Sequence, residues 1–256
     1  MSKYFSNISG LLFLSLVLIY SCKPDRRQII KTYPNGNPLV IFNYPDKNNK
    51  IYFEIEVFYS NGHLHRKLFV KEGKFIDSMI TYFDSGKISL IDSMINPCDT
   101  LTRACDAART IYYENGKIAE QYRLKDGKYN GFSRHFDTHG VIAKEYFLVN
   151  DSIKEGQYKE YDRNGKIDFV GTYKNDSLTG FCYYFDVHGD TLKYYNNYKG
   201  AISLPYKKWL SDGRTLVGNF ATGDNKSVIW NWFDKSGRKV KTKTAHVTAI
   251  GFVVPE

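Results

Sequence analysis

The sequence predicts an all-β protein made of repeated β-hairpins. One observation is the aromatic content: 21 Tyr, 17 Phe and 3 Trp make up 16% of the 256 residues, and Tyr and Phe favour strands. The second is a glycine that recurs about every 24 residues, with an aromatic residue four positions before it. A repeat of this length is typical of an array of small supersecondary units. Hydrophobic residues at 42% and charged residues at 25% exclude wholesale disorder and a polytopic membrane protein.

The recurring glycine marks one tight turn in each of eight copies. The intervals between successive glycines are 24, 30, 24, 25, 24, 24 and 24 residues. The turn glycines are Gly62, Gly86, Gly116, Gly140, Gly165, Gly189, Gly213 and Gly237. The residues four positions upstream, named here the repeat aromatics, are Phe58, Tyr82, Tyr112, Phe136, Tyr161, Phe185, Trp209 and Phe233. Residues 33–36 (Tyr-Pro-Asn-Gly) resemble a degenerate ninth copy, with Thr32 in the aromatic position.

Further turn signals lie between the copies, such as Lys-Asp-Gly-Lys at residues 125–128. Asn-Gly and Asp-Gly between short aromatic runs indicate hairpins, because Gly and Asn accept positive φ. Each copy is therefore predicted to hold a strand, a tight turn, a second strand and a second turn, a unit too small to be stable alone. A second glycine stands nine residues before the turn glycine in three copies, at Gly131, Gly156 and Gly180.

Residues 156–167 carry the clearest copy: a glycine, four residues, an aromatic, three residues and then Gly-Lys-Ile. This pattern resembles MORN repeats, and it is closest to the bacterial variant grouped with antitoxin-like repeat proteins. The resemblance covers roughly residues 51–240. It implies an elongated, twisted antiparallel sheet of stacked hairpins.

The repeat aromatics are expected to pack on one another along this sheet. A single-layer sheet has no second layer to form a deep core, so its rings must cover each other, and packed Tyr or Phe each bury roughly 150–250 Å². The stripe is therefore predicted to be chiefly structural. A ligand-binding groove along its exposed edges is the alternative.

The N-terminus resembles a bacterial lipoprotein signal. Lys3 precedes an apolar run at residues 11–19, which is about half the length that spans a bilayer. An aliphatic residue stands three positions before Cys22 and a small residue stands directly before it. The resemblance implies that Cys22 is lipidated and becomes the first mature residue, and stable anchoring needs more than one acyl chain. A plain secretory signal with an incidental Cys22 is the alternative.

These features divide the chain into three parts. Residues 1–21 are predicted to be the signal peptide, residues 22–32 a polar tether, and residues 33–256 a single repeat domain with a cysteine-containing insertion near residues 96–106. In an exported protein, Cys98 and Cys105 within one loop suggest a local disulfide. Metal ligation and a reactive thiol pair are the alternatives. Cys182, in the middle of a predicted strand, is expected to be a small buried side chain.

No active site is recognisable in the sequence, so the protein is predicted not to be an enzyme, and no cofactor or metal is expected. The six histidines are scattered, and no phosphate loop or Ser-His-Asp order occurs. The carboxylates that recur at the turn entry are expected to support the turns, as Asx residues do. They are Asp137, Asp162, Asp186 and Asp234.

The net charge of +9 is concentrated late in the sequence. Lys239, Lys241 and Lys243 alternate onto one face of the last predicted strand. Contact with anionic lipid or polysaccharide is one interpretation. The preferred one is that lysines on a terminal strand discourage aggregation between sheets. Nucleic acid is not an expected partner of an exported chain.

The sequence thus predicts a membrane-anchored lipoprotein of the bacterial cell envelope, periplasmic or surface-exposed. Its partners are expected to be membrane lipid, through acylated Cys22, and an envelope protein bound along the sheet, with the oligomeric state left open. The protein would act as a protein-binding or scaffolding module. The alternative is an antitoxin or immunity-type protein that neutralises a toxic partner.

Overall fold

The computed structural model describes residues 26–46, 51–102, 104–151, 153–198, 201–222, 224–247 and 254–255. These residues form one antiparallel sheet of 19 strands and contain no helix, which confirms the predicted fold class. Cys22 and the predicted signal peptide lie outside the described residues. The strands are β1 (Arg27–Thr32), β2 (Pro38–Asn43), β3 (Tyr52–Phe58), β4 (Leu64–Lys71), β5 (Lys74–Tyr82), β6 (Ile88–Met94), β7 (Cys98–Asp99), β8 (Ala107–Tyr112), β9 (Ile118–Lys125), β10 (Lys128–Phe136), β11 (Ile142–Val149), β12 (Ile153–Tyr161), β13 (Ile167–Lys174), β14 (Ser177–Phe185), β15 (Thr191–Tyr198), β16 (Ala201–Trp209), β17 (Thr215–Ala221), β18 (Asp224–Phe233) and β19 (Lys239–His246).

The strands follow one another as a meander. Each long strand pairs with the next one in the chain, and β6 pairs with β8 because the short β7 pairs back to β5. The outer strands of the described sheet are β1 and β19. Within the described residues, no helix is long and apolar enough to cross a bilayer.

The sheet begins earlier than the sequence suggested. Arg27–Thr32, assigned to the polar tether, form β1 and pair with β2. The segment Arg-Gln-Ile-Ile-Lys-Thr contains two adjacent β-branched isoleucines, which favour a strand once a neighbouring strand is available. The predicted tether therefore shortens at its C-terminal end.

The tight turns share one backbone geometry in all nine copies, including the one at Gly36. Each turn glycine has φ between 77° and 90°, which a residue with a β-carbon rarely adopts. Its amide donates to the carbonyl of the residue three positions earlier, as Gly62 does to Tyr59 over 2.9 Å. Side chains support the turn in two ways. In some copies an Asn or Asp directly before the glycine accepts one backbone amide; in others an Asp three positions before it accepts two, as Asp162 does from Asn164 and Lys166.

The turns also bond to one another along the sheet. The hydroxyls of Tyr33, Tyr59 and Tyr113 each donate to the carbonyl of the repeat aromatic, or its equivalent, in the following copy, over 2.7–2.9 Å. These hydrogen bonds connect neighbouring tight turns, which all lie along one long side of the sheet. Two-residue turns with positive φ at both positions close the opposite side, as at Asp126–Gly127.

The second glycines mark β-bulges. Gly131, Gly156 and Gly180 have positive φ, and the strand register shifts beside each of them. Asp77 occupies the same position in β5, also with positive φ, although the sequence shows no glycine there. Bulges increase the local twist, so their regular placement makes every hairpin twist in the same way.

The rings that pack on one another are not the repeat aromatics, so the expected ladder was assigned to the wrong residues. The two faces of the sheet differ, and the first face, which carries Tyr158, Tyr206 and Trp230, holds the main buried cluster. A chain of ring contacts with centroids 4.7–6.4 Å apart crosses this face. Its members are Tyr122, His135, Tyr146, Tyr158, Phe169, Tyr184, Tyr195, Tyr206 and Trp230.

The repeat aromatics end their strands and lie on the opposite, second face, because side chains alternate along a strand. All eight are half-buried beside the tight turns. Within the described part of the chain, Trp209 alone among them contacts another aromatic ring, that of Tyr194 at 6.2 Å. The first-face positions recur at the repeat spacing but are filled by different residue types, as at Tyr158, Cys182, Tyr206 and Trp230, which are 24 residues apart.

The insertion between Gly86 and Gly116 is closed by a disulfide. Cys98, which is buried in β7, is bonded to Cys105, with the two Cα atoms 5.1 Å apart. The carbonyl of Cys105 accepts the amide of Gly127 over 2.9 Å, so the loop is attached to the next hairpin. Cys182 is a free cysteine, fully buried on the first face.

Candidate functional site

The second face carries a strip of aromatic side chains, named here the second-face strip, in which exposed rings lie beside half-buried ones. Its members are Phe132, Phe147, Phe181, Tyr183, Tyr194 and Trp209. Phe132 is 61% exposed and Phe181 44% exposed, which are large values for phenylalanine in a folded chain. Exposed rings grouped on one surface are typical of binding sites, because removing their apolar surface from water is favourable.

The strip consists of two groups of rings. Phe132 and Phe147 meet edge to face with centroids 5.8 Å apart. Phe181, Tyr183 and Tyr194 contact one another at 5.8–6.3 Å, and Trp209 joins this group through Tyr194 at 6.2 Å. Ring contacts fix the directions of these side chains, so less conformational entropy is lost when a partner covers them.

Two adjacent hollows flank the Phe132–Phe147 pair, each with a volume of about 400 Å³. Gly156 contributes to one hollow and Gly131 to the other. The bulge glycines therefore leave space beside the rings where a larger residue would stand. Both hollows also share Arg134, so they form one continuous surface.

Charged side chains border these rings. Arg134 donates to Glu145 over 2.9 Å, and Tyr161 donates to the other oxygen of Glu145 over 3.1 Å. Burial alone would raise the pKa of Glu145, but these two hydrogen bonds and the charge of Arg134 hold it below its ordinary value. Glu145 is therefore ionised at neutral pH, and the surface offers fixed charges of both signs beside its aromatic rings.

A polar cluster lies on the first face around His135. Its Nε2 is 2.6 Å from the hydroxyl of Tyr146 and 3.3 Å from Oγ of Ser133, and its Nδ1 is 3.3 Å from Glu120. The Ser-His-Glu order resembles a nucleophile with its base. However, Ser133 is completely buried, and the Tyr146 hydroxyl is the nearest partner of Nε2, so no substrate carbonyl could reach the serine oxygen.

A second polar group on the first face joins Asp92 and Arg109. Arg109 donates from Nε and Nη2 to the two Asp92 oxygens over 2.7 and 2.8 Å, and from Nη1 to the hydroxyl of Tyr129 over 2.9 Å. Burial alone would lower the pKa of Arg109, but hydrogen bonding and attraction to Asp92 raise it instead. The pair is structural, because Asp92 is 2% exposed and both of its oxygens are occupied.

The remaining residues singled out in the sequence do not converge. His139 and His188 occupy tight turns, and their amides are held by Asp137 and Asp186. Within the described residues, no group of three His, Cys, Asp or Glu side chains could hold a metal ion. Burial raises the pKa of the Cys182 thiol to about 11, so it is protonated and unreactive at neutral pH.

Sequence reasoning missed the second-face strip. Phe132 and Phe181 directly follow the bulge glycines Gly131 and Gly180. The position after a bulge glycine points to the second face, and an aromatic residue there was the signal. It occurs in two copies only, and Gln157 replaces it in the third.

The fold defines an all-β hairpin-repeat protein with one extended sheet. Two segments, residues 106–126 and 154–175, match the family model described as the MORN repeat variant. The first comprises β8 and β9 with the turn at Gly116, and the second comprises β13 and all but the first residue of β12, with the turn at Gly165. Each matched segment is therefore one hairpin, closed by a tight turn.

No curated protein matches the chain. Among solved structures, it is similar to a chain in "Crystal Structure of TcdB2-TccC3-TEV", at 10% identity and a TM-score of 0.17. That similarity covers 84% of this chain and 15% of the other, so the present chain spans a small part of that protein's length.

Proposed function

We propose that the protein is a lipid-anchored β-repeat module of the bacterial cell envelope that binds a partner protein through its second face. The observation that carries the binding role is the second-face strip, with Phe132 and Phe181 exposed and two hollows of about 400 Å³ beside Phe132. Aromatic anchors bordered by charges are the usual composition of the centre of a protein interface. The anchor and the envelope location are supported by the lipoprotein-like sequence before Cys22.

Site-specific photo-cross-linking in intact cells tests the binding role. A benzoylphenylalanine at Phe132 or Phe181 should form an adduct with one discrete protein. The matched control is Val187, which is 63% exposed but is a turn residue that does not belong to the strip. Equal cross-linking from Val187, or none from either strip position, would contradict the proposal.

The identity of the adduct separates the two functional classes. A structural or transport protein of the envelope supports a scaffold. A toxic enzyme encoded by a neighbouring gene, with growth arrest when the present gene is deleted, supports the immunity-type alternative.

The anchor is tested separately by labelling with radioactive palmitate. The label should enter the wild-type chain and be absent from a Cys22→Ala variant. Label that persists in the variant would exclude Cys22 as the lipidated residue. This experiment does not depend on the second face, so the two halves of the proposal can fail independently.

A further inference from the structure

The two outer strands of the described sheet are protected differently. β1 has six residues, and its register with β2 shifts twice, at Ile29/Lys31 and at Lys31/Thr32. β19 has eight residues and pairs with β18 at seven positions, from Ser227 with His246 to Phe233 with Lys239, with one shift at the last pair. Irregular and short edges resist further pairing, whereas a long regular edge is a template for another strand.

The regular edge is basic on one side. Lys241 and Lys243 are exposed on the first-face side of β19, opposite Trp232 and Trp230, whereas Lys239 is exposed beyond the register shift, opposite the second-face residue Phe233. Among the described residues, none of the three forms an ion pair, while the neighbouring Arg238 is paired with Asp234 over 3.2 Å. Two uncompensated charges at two-residue spacing therefore lie on one side of the edge, and a third lies at its bulged end.

The middle lysine is held in place by the sheet. Its ammonium nitrogen lies 4.6 Å from the ring centroid of Trp232, the residue opposite Lys241 on β18. A cation above an indole ring gains electrostatic stabilisation from the π face. Part of the entropy cost of ordering the Lys241 side chain is therefore already incurred in the unbound protein.

The other side of β19 is suited to strand pairing. Val240, Thr242 and Thr244 alternate with the lysines, and Thr242 donates to the side-chain oxygen of Asn231 over 2.8 Å. β-Branched residues favour a strand that is covered on one face. The edge thus combines a regular backbone, a β-branched side and a basic side.

We propose that the outer edge of β19 binds an extended acidic segment of another protein, which adds to the sheet as one more strand. Carboxylates at alternate positions of that segment would face Lys241 and Lys243, with Lys239 near the end of the segment, and Thr or Val between the carboxylates would extend the β-branched side. The same lysines repel a second copy of this chain, because like charges directly opposite each other destabilise a strand pair. The edge therefore disfavours pairing with a second copy of this chain and favours pairing with a strand of opposite charge. This site is separate from the second-face strip.

Fluorescence anisotropy with the full chain in nonionic detergent tests the charge pattern. The probe is the blocked, labelled peptide Thr-Glu-Val-Glu-Thr-Glu-Val, and its control is the same composition reordered as Glu-Glu-Glu-Thr-Val-Thr-Val. The alternating peptide should bind at least about tenfold more tightly, because only it presents three carboxylates on one side of a strand. Equal affinity for both peptides would mean a general attraction for polyanions, and it would overturn the proposal, as would no saturation up to about 1 mM.

Lysine variants locate the site. A triple variant Lys239→Gln, Lys241→Gln and Lys243→Gln should weaken binding of the alternating peptide by about tenfold or more. The matched control replaces Lys71, Lys74 and Lys125, which are exposed strand-end lysines elsewhere on the sheet, with Gln. It removes the same charge and should change the affinity by no more than about twofold. Equal weakening by both variants would place the binding elsewhere.

Peptide backbone methylation tests strand addition on the wild-type protein, so the outcome does not depend on any variant folding. Two peptides carry N-methyl groups on alternate amides, one on the odd set and one on the even set. A strand at an edge bonds through one set only, so one peptide should lose binding and the other keep it. Two peptides that bind equally well, or equally poorly, would overturn the pairing.

Discussion

Trp230 lies directly over Gly218 on the first face of the sheet. The two residues are paired across β17 and β18, and a β-carbon built on Gly218 would stand 2.7 Å from Cε3 of the Trp230 ring and closer still to Cζ3. Trp230 is completely buried and reaches Tyr206, on the far side of β17, with ring centroids 5.6 Å apart. The missing side chain of Gly218 thus allows two large rings from non-adjacent strands to meet.

Replacing Gly218 with Ala should destabilise the protein by about 1–3 kcal/mol, because the added methyl group must displace a packed ring. The change in the free energy of unfolding can be measured by urea denaturation followed through tryptophan fluorescence. Asn219→Ala is the matched control, since its side chain is exposed on the second face. If both substitutions have the same small effect, the Trp230 ring is free to move aside.

The packing of Gly218 shows why the period of the sequence did not reveal the buried core. One row of the first face combines large and small residues, in the order Cys182, Tyr195, Tyr206, Gly218 and Trp230. The space beside a small residue is filled by a neighbouring ring, as Trp230 fills the space over Gly218. The residue type at the core position therefore varies from copy to copy and shows no repeat.

The turns, by contrast, could be predicted because each copy must meet the same backbone requirement. Positive φ at Gly165 or Gly237 restricts the residue type in every copy, whatever lies around it. The bulge at Asp77 was missed because an Asp can also adopt positive φ, so the glycine signal is absent there. The second-face strip was missed because the exposure of its rings depends on what covers that face of the sheet. The spacing of the repeat in the sequence carries no information about this.

Asp92 and Arg109 are predicted to be interdependent. Asp92→Ala leaves the Arg109 guanidinium on the first face without its two main acceptors, and we expect a loss of about 3 kcal/mol of stability. The double variant Asp92→Leu, Arg109→Leu should recover most of this, because it removes both charges from an apolar surrounding. Urea denaturation of the two variants and the wild type measures the difference. A double variant that is less stable than Asp92→Ala would show that the ion pair makes a net stabilising contribution.

The disulfide between Cys98 and Cys105 is predicted to order its own loop. Closing a loop this short should contribute roughly 2–3 kcal/mol, by the loop-entropy account. The variant Cys98→Ala, Cys105→Ala should therefore be cleaved faster by protease between the two positions, while the hairpins on either side stay protected. Cys182→Ala is the control, since that thiol is buried and unpaired. Free thiols at both Cys98 and Cys105 in natively prepared protein would contradict the bond itself.

The turn aspartates are predicted to make stability depend on acid. Hydrogen bonds from backbone amides, chiefly that of Lys166, hold the pKa of Asp162 below its ordinary value, and Asp137 and Asp186 are lowered in the same way. A carboxylate with a lowered pKa binds fewer protons in the folded state than in the unfolded state. Its contribution is therefore complete above the ordinary pKa of about 3.9 and is lost as the pH falls through the lowered value.

Urea midpoints between about pH 6 and pH 2 test this dependence. The wild-type midpoint should be level at the upper end and fall below about pH 4, and a triple variant with Asn at Asp137, Asp162 and Asp186 should fall less steeply. Asn can accept the same backbone hydrogen bonds without a titrating charge. The control is Asp190→Asn, a nearby carboxylate that follows a turn glycine instead of preceding it. A triple variant whose midpoint falls as steeply as that of the wild type would mean that carboxylates elsewhere in the sheet cause the acid sensitivity.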